Sequence, residues 1–256
     1  MRIAIVGYGR MGHEVETVAA ERGHEISRIV DPEIDPALTR GALHATELTT
    51  EGLRGCDVAI EFSLPDAVSG NVRTYAQAMV PAVIGTTGWL DALSEAESVV
   101  EAAGSALVYG SNFSIGAHIF FRLAAQAGAL VRDLDEYDLL IHELHHRYKK
   151  DSPSGTALTL AEAVLAEVPR KTRVQTARLD RTPAPDELHV SSTRGGSIPG
   201  THTLYLDSPA DTIEVTHRAR TRSGFALGAV RAAEWIVGRK GLFTVDQFIT
   251  DLLERR

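Results

Sequence analysis

Short apolar runs alternate with helix-compatible segments through the first part of the chain. The runs cover residues 3–6, 26–30, 58–62, 82–84 and 106–109, and each has the length of a buried strand. Residues 9–22 place Met11, Val15 and Val18 on one helical face, and residues 66–79 are also compatible with a helix. Continuous apolar strands that alternate with helices are typical of a parallel sheet covered on both faces. We therefore predict a doubly wound α/β domain over residues 1–115.

The pattern changes from residue 185 onward. Residues 187–192, 203–206 and 212–216 are β-rich stretches separated by Gly-Gly, Pro-Gly and Ser-Pro turn signals, and they predict an antiparallel or mixed sheet. Residues 225–237 and 245–253 return to helical spacing. Residues 137–148 fit a helical face and a strand alternation about equally, so their structure stays open at this point.

Composition excludes several classes of protein. The chain has 256 residues, of which 44% are apolar and 23% are charged, as in ordinary globular proteins. The 34 acidic side chains exceed the 26 basic ones, so we expect neither a nucleic acid nor a membrane as a partner. The single cysteine, Cys56, excludes an intramolecular disulfide framework and a zinc site of several thiolates, and it fits a reducing cytoplasm. The apolar start is too short for a secretory or membrane segment.

A glycine-rich turn follows the first predicted strand. Its sequence, Gly7-Tyr8-Gly9-Arg10-Met11-Gly12, fits the G-x-G-x-x-G pattern of dinucleotide-binding proteins. The first glycine allows a tight turn, the second lets a pyrophosphate approach the backbone, and the third allows close packing of the helix on the strand. Asp31 ends the next predicted strand, where a ribose hydroxyl needs an acceptor. This context predicts a Rossmann-like dinucleotide site.

Residues 141–157 carry the densest chemistry of the chain. The stretch His142-Glu143-Leu144-His145-His146 matches H-E-x-x-H, which on a helix would place two zinc ligands one turn apart beside a glutamate base. A zinc hydrolase that uses His142, Glu143 and His146 is therefore one alternative, and a dinucleotide-sensing module without catalysis is another. A glycine turn for a dinucleotide is no part of a metalloprotease motif.

The same stretch also supplies proton donors for a reductase. Histidine exchanges a proton near neutral pH and a lysine ammonium stabilises developing negative charge, so His145 and Lys149 are candidates for these roles. Ser154 precedes an apolar periodic segment over residues 157–168 and is predicted to cap that helix. The amide groups of Gly155 and Thr156 and the Thr156 hydroxyl would then form a site for a carboxylate. We infer a small anionic substrate.

With these motifs the chain resembles the dihydrodipicolinate (4-hydroxy-tetrahydrodipicolinate) reductase family of the diaminopimelate and lysine biosynthetic route. The most specific match is residues 143–157, which are similar to the family signature E-x-H-H-x-x-K-x-D-x-P-S-G-T-A. Supporting matches are residues 7–12, 85–88, 111–114 and 194–202. One departure is the turn itself, because the family commonly has two residues between its first two glycines, whereas this chain has only Tyr8.

The resemblance implies a role for each matching residue. It implies that His145 is the proton donor or acceptor, that Lys149 is the second donor, and that His146, Gly155 and Thr156 contact the substrate carboxylates. It also implies that the cofactor is held by the glycine turn, by Asp31, and by two strand-end segments at its nicotinamide end. These segments are Gly85, Thr86 and Thr87, and Gly110, Ser111, Asn112 and Phe113. No resident metal is implied.

The resemblance further implies the domain plan and the cofactor. Residues 1–115 would form the dinucleotide-binding domain, residues 116–221 a mixed α+β domain for substrate binding and tetramerisation, and residues 222–256 helices that return to the first domain. Family members commonly use NADH and NADPH. The Asp31 carboxylate favours NADH because it would repel the ribose phosphate of NADPH, and only Arg10 offers a compensating cation in the turn. We therefore predict dual use, with NADH at least as good.

Overall fold

The computed structural model describes residues 1–33 and 42–254, and these divide into two compact units. The first unit contains Met1–Ile115 together with Arg222–Arg256, and the second contains Gly116–Thr221. The strands, in chain order, are β1 Arg2–Val6, β2 Glu25–Val30, β3 Leu43–Ala45, β4 Val58–Glu61, β5 Ala82–Ile84, β6 Ala106–Tyr109, β7 Asp138–His145, β8 Arg173–Gln175, β9 Glu187–Arg194, β10 Thr201–Asp207, β11 Thr212–Arg218 and β12 Gly241–Thr244. The helices are α1 Arg10–Glu21, α2 Pro65–Ala78, α3 Leu93–Ala103, α4 Ile115–Leu130, α5 Gly155–Leu165, α6 Ser223–Ile236 and α7 Val245–Glu254.

The first unit contains a seven-stranded parallel sheet. Its strand order is β12-β6-β5-β4-β1-β2-β3, and every pairing is parallel. Ile3 and Ile5 of the interior strand β1 are buried, as the continuous apolar run requires for a sheet covered on both faces. Their core cluster also contains residues of α6 and α7, such as Ala229 and Phe248. The last part of the chain therefore completes this core.

The second unit contains a five-stranded mixed sheet. Its order is β11-β10-β7-β9-β8, in which β10 is antiparallel to β7 and β11, whereas β9 is parallel to β7 and β8. Leu139 and Ile141 of β7 pack in one cluster with residues of α4 and α5, such as Phe120 and Leu160. The alternation along β7 thus sends every second side chain under the helices.

The predicted fold class is confirmed, because a doubly wound parallel sheet is accompanied by a smaller mixed α+β unit. Residues 137–148, left open between a helix and a strand, contain the strand β7. Five elements were not assigned from the sequence, namely β3, α3, the largely apolar α4, β8 and β12. Among the described residues, none of the helices combines the length and the hydropathy that a membrane crossing requires.

Candidate active site

The glycine turn of the first unit is built for close approach by a phosphate. Gly7 has a φ of +86°, and a Cβ there would lie 2.1 Å from the main-chain oxygen of Phe62. A Cβ at Gly12 would lie 2.4 Å from the Gly7 carbonyl oxygen, so this glycine lets α1 approach the strand. At Gly9, by contrast, no described atom lies within 4 Å of the Cβ position. The second glycine therefore faces open space, as the pattern requires.

The N-terminus of α1 is available to an anion. Gly9 is the N-cap, and within the described part of the chain no side chain caps the helix. The amide groups of its first turn lie at the positive end of the helix dipole. Arg10 is exposed there and Met11 packs partly against the core. Tyr8 can offer a ligand only its main chain, because its ring is buried and its hydroxyl donates to Glu16 Oε2 at 2.5 Å. These residues fit a dinucleotide pyrophosphate.

Asp31 lies directly after β2 and beside this turn. Its Oδ2 accepts a hydrogen bond from the Tyr8 amide at 2.6 Å, and its Oδ1 accepts one from the Glu33 amide at 2.9 Å. The carboxylate is thus fixed by two amides while each oxygen retains a lone pair for a further donor. Residues 34–41, including Arg40, lie outside the described residues.

The two predicted strand-end segments follow β5 and β6 at the carboxyl edge of the parallel sheet. Thr86 is buried and its Oγ1 accepts a hydrogen bond from the Ser63 amide at 2.8 Å, whereas Thr87 is exposed. The ring of Phe62 occupies the place that a Cβ at Gly85 would take. This edge is where ligands bind in open parallel sheets.

The segment after β6 presents its main chain. A Cβ at Gly110 would lie 2.5 Å from that of Val245, so the chain passes close to α7. Ser111 is exposed, and Asn112 Oδ1 accepts a hydrogen bond from the Ser114 amide at 2.9 Å. The Phe113 ring belongs to the core, which leaves only its backbone for a ligand.

Glu143 is the centre of the polar cluster in the second unit. It is fully buried and continues the buried face of β7, two residues after Ile141. Its Oε1 accepts hydrogen bonds from the Ser154 amide at 3.0 Å, Ser192 Oγ at 2.8 Å and Arg194 Nη2 at 2.8 Å. Burial alone would raise the pKa of Glu143, but the surrounding histidine, serine and arginine donors outweigh burial and hold that pKa well below its ordinary value. The carboxylate is therefore ionised.

The second oxygen of Glu143 faces two histidines. His145 Nδ1 lies 3.2 Å from Oε2, and His202 Nε2 lies 3.4 Å from the same atom. The two rings meet edge to face with their centroids 5.1 Å apart. Burial lowers the pKa of His202, against the opposing effect of Glu143. His202 is therefore neutral near pH 7.

The substrate residues inferred from the sequence surround the start of α5. Ser154 caps this helix, as predicted, because its Oγ accepts from the Ala157 amide at 3.2 Å. Gly155 is exposed and Thr156 is half-buried, so their amides lie at an accessible helix N-terminus. No described atom lies within 4 Å of the Cβ position of Gly155. This end of α5 can accept a carboxylate.

His146 and Lys149 follow β7. The His146 amide donates to the Ile198 carbonyl at 2.8 Å, while its buried Nδ1 has no hydrogen-bond partner among the described residues. Lys149 Nζ lies 2.9 Å from Asp151 Oδ1, and this ammonium group lowers the pKa of that carboxyl. The segment after β7 thus carries a cation and an unpartnered imidazole nitrogen, both suited to an anionic ligand.

The structure contradicts the zinc hydrolase that the H-E-x-x-H stretch left as an alternative. The motif requires a helix, whereas His142 and Glu143 are successive residues of a strand and therefore point to opposite faces. His142 Nδ1 pairs with Ser191 Oγ at 2.8 Å instead, and His146 lies beyond the strand. A different trio, Glu143, His145 and His202, brings ligand atoms within 4.8 Å of one another. Because the Arg194 guanidinium already binds that carboxylate, an added cation would meet charge repulsion.

No role was assigned from the sequence to the residues that reach Glu143 from other strands, although Arg194 and His202 bound the 194–202 stretch that supports the family resemblance. Ser192 and Arg194 come from β9 and His202 from β10. The available signal was the alternation of β7, because it places Glu143 and His145 on the same face as two buried aliphatic residues. A charged residue at a buried position needs partners, so it indicates a functional or structural cluster.

Comparisons with known proteins agree over the whole chain. The model described as "Dihydrodipicolinate reductase, N-terminus" matches residues 1–113, and the one described as "Dihydrodipicolinate reductase, C-terminus" matches residues 116–249. The 4-hydroxy-tetrahydrodipicolinate reductase of Christiangramia forsetii is 39% identical over 99% of this chain and 100% of that protein. The enzyme of the same name from Archaeoglobus fulgidus is 36% identical over 97% of this chain and 100% of that protein.

A solved structure is similar in fold. It is the dipicolinate-bound dihydrodipicolinate reductase from Paenisporosarcina sp. TG-14, with a TM-score of 0.76 and 22% identity over 95% of this chain and 97% of that one. At this identity the likeness concerns the fold.

Proposed function

The chain belongs to the dihydrodipicolinate reductase family, and on that premise we propose that it reduces 4-hydroxy-tetrahydrodipicolinate to tetrahydrodipicolinate in the diaminopimelate and lysine biosynthetic route, with hydride from NADH or NADPH. The observation that carries this proposal is the arrangement around Glu143. The buried Glu143 carboxylate lies beside the ring of His145 and accepts a hydrogen bond from Ser154, the cap residue of α5. The same carboxylate therefore positions both the proton donor and the helix end that would bind a substrate carboxylate.

The second unit binds the cyclic dicarboxylate. The amides of Gly155 and Thr156 and the Thr156 hydroxyl donate to one carboxylate at the positive end of α5. His146 and Lys149 supply a hydrogen-bond donor and a positive charge to the anionic substrate. Several such donors oriented before binding fix the position of the ring.

Proton transfer belongs to His145 and Lys149. When bound, the nicotinamide supplies a hydride, and the reduction also requires a proton at the substrate. With its Nδ1 toward Glu143, His145 has Nε2 left to deliver or accept that proton. The Lys149 ammonium stabilises negative charge that develops on the substrate or donates a second proton.

The first unit holds the cofactor. The open N-terminus of α1 binds the pyrophosphate, the Asp31 carboxylate accepts from the ribose hydroxyls, and the main chains after β5 and β6 line the nicotinamide. Of the cofactor residues inferred from the sequence, Tyr8 and Phe113 act through their backbones only, because both rings are buried.

We expect the protein to use NADH at least as well as NADPH. In a dinucleotide site of this pattern the Asp31 carboxylate would face the ribose phosphate of NADPH, and like charges repel. The Asp31→Ala variant should shift the ratio of the two kcat/KM values toward NADPH, measured at low and moderate salt. A tenfold preference for NADPH in the unmodified protein, equivalent to about 1.4 kcal/mol, would contradict this prediction.

The Thr156→Val variant should bind substrate more weakly. It loses one hydroxyl hydrogen bond to a carboxylate, worth about 1.5 kcal/mol, so KM for the substrate should rise about tenfold while KM for NADH stays constant. Thr159→Val is the matched control, because Thr159 is an exposed residue of the same helix, and its KM should not change. Equal effects of the two substitutions would contradict the assignment.

A coupled assay tests the function directly. The condensation product of pyruvate and aspartate semialdehyde is supplied with NADH or NADPH, and loss of nicotinamide absorbance is followed. Turnover with at least one cofactor is expected. Cofactor binding without turnover would favour a sensing module and overturn the proposal.

We also propose a homotetramer in the cytoplasm, as the family resemblance implies. β11 pairs only with β10 among the described strands, and Ile213 on this edge strand is 48% exposed. An edge strand presents backbone groups that another chain can pair with. Light scattering after size-exclusion chromatography tests this, and a monomeric mass would exclude it.

A further inference from the structure

We propose that Glu143 is a positioning residue that keeps the proton of the neutral His145 ring on Nδ1 and so presents Nε2 to the substrate. The proposal rests on the function above only for the role of His145 toward substrate. The hydrogen-bonding groups around the two oxygens of this buried carboxylate determine the tautomer.

Glu143 Oε1 accepts hydrogen bonds from three groups. Oε1 receives the Ser154 amide at 3.0 Å and the Arg194 guanidinium at 2.8 Å, neither of which can accept a hydrogen bond. Ser192 Oγ lies 2.8 Å from the same oxygen. The atom at the Oε1 position must therefore be a hydrogen-bond acceptor.

The second oxygen determines the state of the nearby rings. The Ser154 hydroxyl donates to Oε2 and accepts from the Ala157 amide at 3.2 Å. Because this hydroxyl already donates, His202 Nε2, at 3.1 Å, must be the donor to Ser154 Oγ. His202 is thereby assigned the tautomer with its proton on Nε2.

His145 is left with one favourable tautomer. Its buried Nδ1 has no aligned hydrogen-bond partner among the described residues, yet it lies 3.2 Å from Glu143 Oε2. A lone pair at Nδ1 would face an anion, whereas an N–H group there is attracted to it. The neutral ring therefore carries its proton on Nδ1, and its lone pair lies on Nε2.

Gly200 packs beside Nε2, where a side chain would crowd the ring. A Cβ at this position would lie 2.9 Å from His145 Nε2, closer than side-chain carbons ordinarily approach. The Gly200 backbone and the Glu143 carboxylate thus lie against opposite nitrogens of one ring. The first makes room at Nε2, and the second fixes the proton at Nδ1.

Glu143→Gln tests the proposal because the environment orients the new amide. The donors at Oε1 demand the amide oxygen, so the NH₂ group takes the Oε2 position and donates toward His145 Nδ1. The tautomer of His145 should invert, with its proton on Nε2. We expect kcat to fall about 30-fold, within the range for an impaired acid–base group, while KM for NADH stays constant.

The decisive measurement is ¹H–¹⁵N correlation of the histidine side chains at pH about 9, above the ordinary titration range of histidine. His145, assigned by its loss in His145→Ala, should show a protonated Nδ1 in the unmodified protein and a protonated Nε2 in Glu143→Gln. A protonated Nε2 in the unmodified protein would overturn the proposal without any variant of Glu143. The spectrum requires no substrate, so failure of the proposed function in the coupled assay is a separate result.

Glu187→Gln is the matched control. Glu187 is also a buried carboxylate of the five-stranded sheet, where hydrogen bonds from Arg181 lower its pKa to about 2. Loss of this carboxylate should leave the tautomer of His145 and kcat unchanged. If both variants lower kcat equally with no change of tautomer, Glu143 has only a structural role and the proposal is wrong.

Discussion

The His145→Ala variant is expected to lose at least about 100-fold in kcat, the usual scale for removal of a positioned acid or base. His145 is the buried histidine whose Nδ1 lies 3.2 Å from Glu143, which leaves Nε2 as its reactive atom. Alanine removes the proton carrier and leaves the cofactor residues of the first unit unchanged. Steady-state kinetics should show the loss in kcat, and fluorescence titration should show an unchanged dissociation constant for NADH.

His142→Ala provides the control for that result. His142 belongs to the same strand but lies on the opposite face, where it pairs with Ser191 Oγ. Its removal should leave kcat within about twofold, since a surface contact of this kind contributes little. Near-normal turnover of His145→Ala, or loss of cofactor binding in place of turnover, would refute the proton-transfer assignment.

Lys149→Ala should also lower kcat by about 100-fold. Its ammonium group, 2.9 Å from Asp151 Oδ1, is the cation proposed to stabilise charge as the substrate is reduced. Because the charge develops in the transition state, the loss should appear in kcat more than in KM. Lys150→Ala removes an exposed neighbouring charge and should change neither parameter appreciably. A raised KM with a normal kcat in the Lys149 variant would show that this residue only binds substrate and would contradict its role in charge stabilisation.

The fold was largely accessible from the sequence where local patterns are strong. Buried strands of a parallel sheet are continuously apolar, and the glycine turn has requirements that few other residues meet, so the start of the first unit could be assigned. Residues 137–148 could not, because Tyr137 and Ile141 fit a helical face and a strand alternation equally well. This segment forms a strand because it pairs with β9 and β10. A local sequence pattern does not show which distant strands a segment will pair with.

Part of the candidate site could likewise be predicted from local sequence, and part could not. His145, Lys149 and Ser154 lie within a short stretch, so their types and the cap signal could be recognised together. The contacts of Ser192 and Arg194 with Glu143 span 49 and 51 positions of sequence. These contacts depend on the register of β9 against β7, which one sequence does not specify.

The first unit is built from both ends of the chain, so its parts are synthesised at different times. Its core requires α6 and α7 as well as β1, so residues from both ends of the chain must be present before it closes. Synthesis proceeds from the N-terminus, and domains generally fold as units. The second unit, a continuous segment, is therefore synthesised in full before the edge strand β12 of the seven-stranded sheet. A premature stop after residue 221 would leave the second unit whole and the first unit without its C-terminal helices.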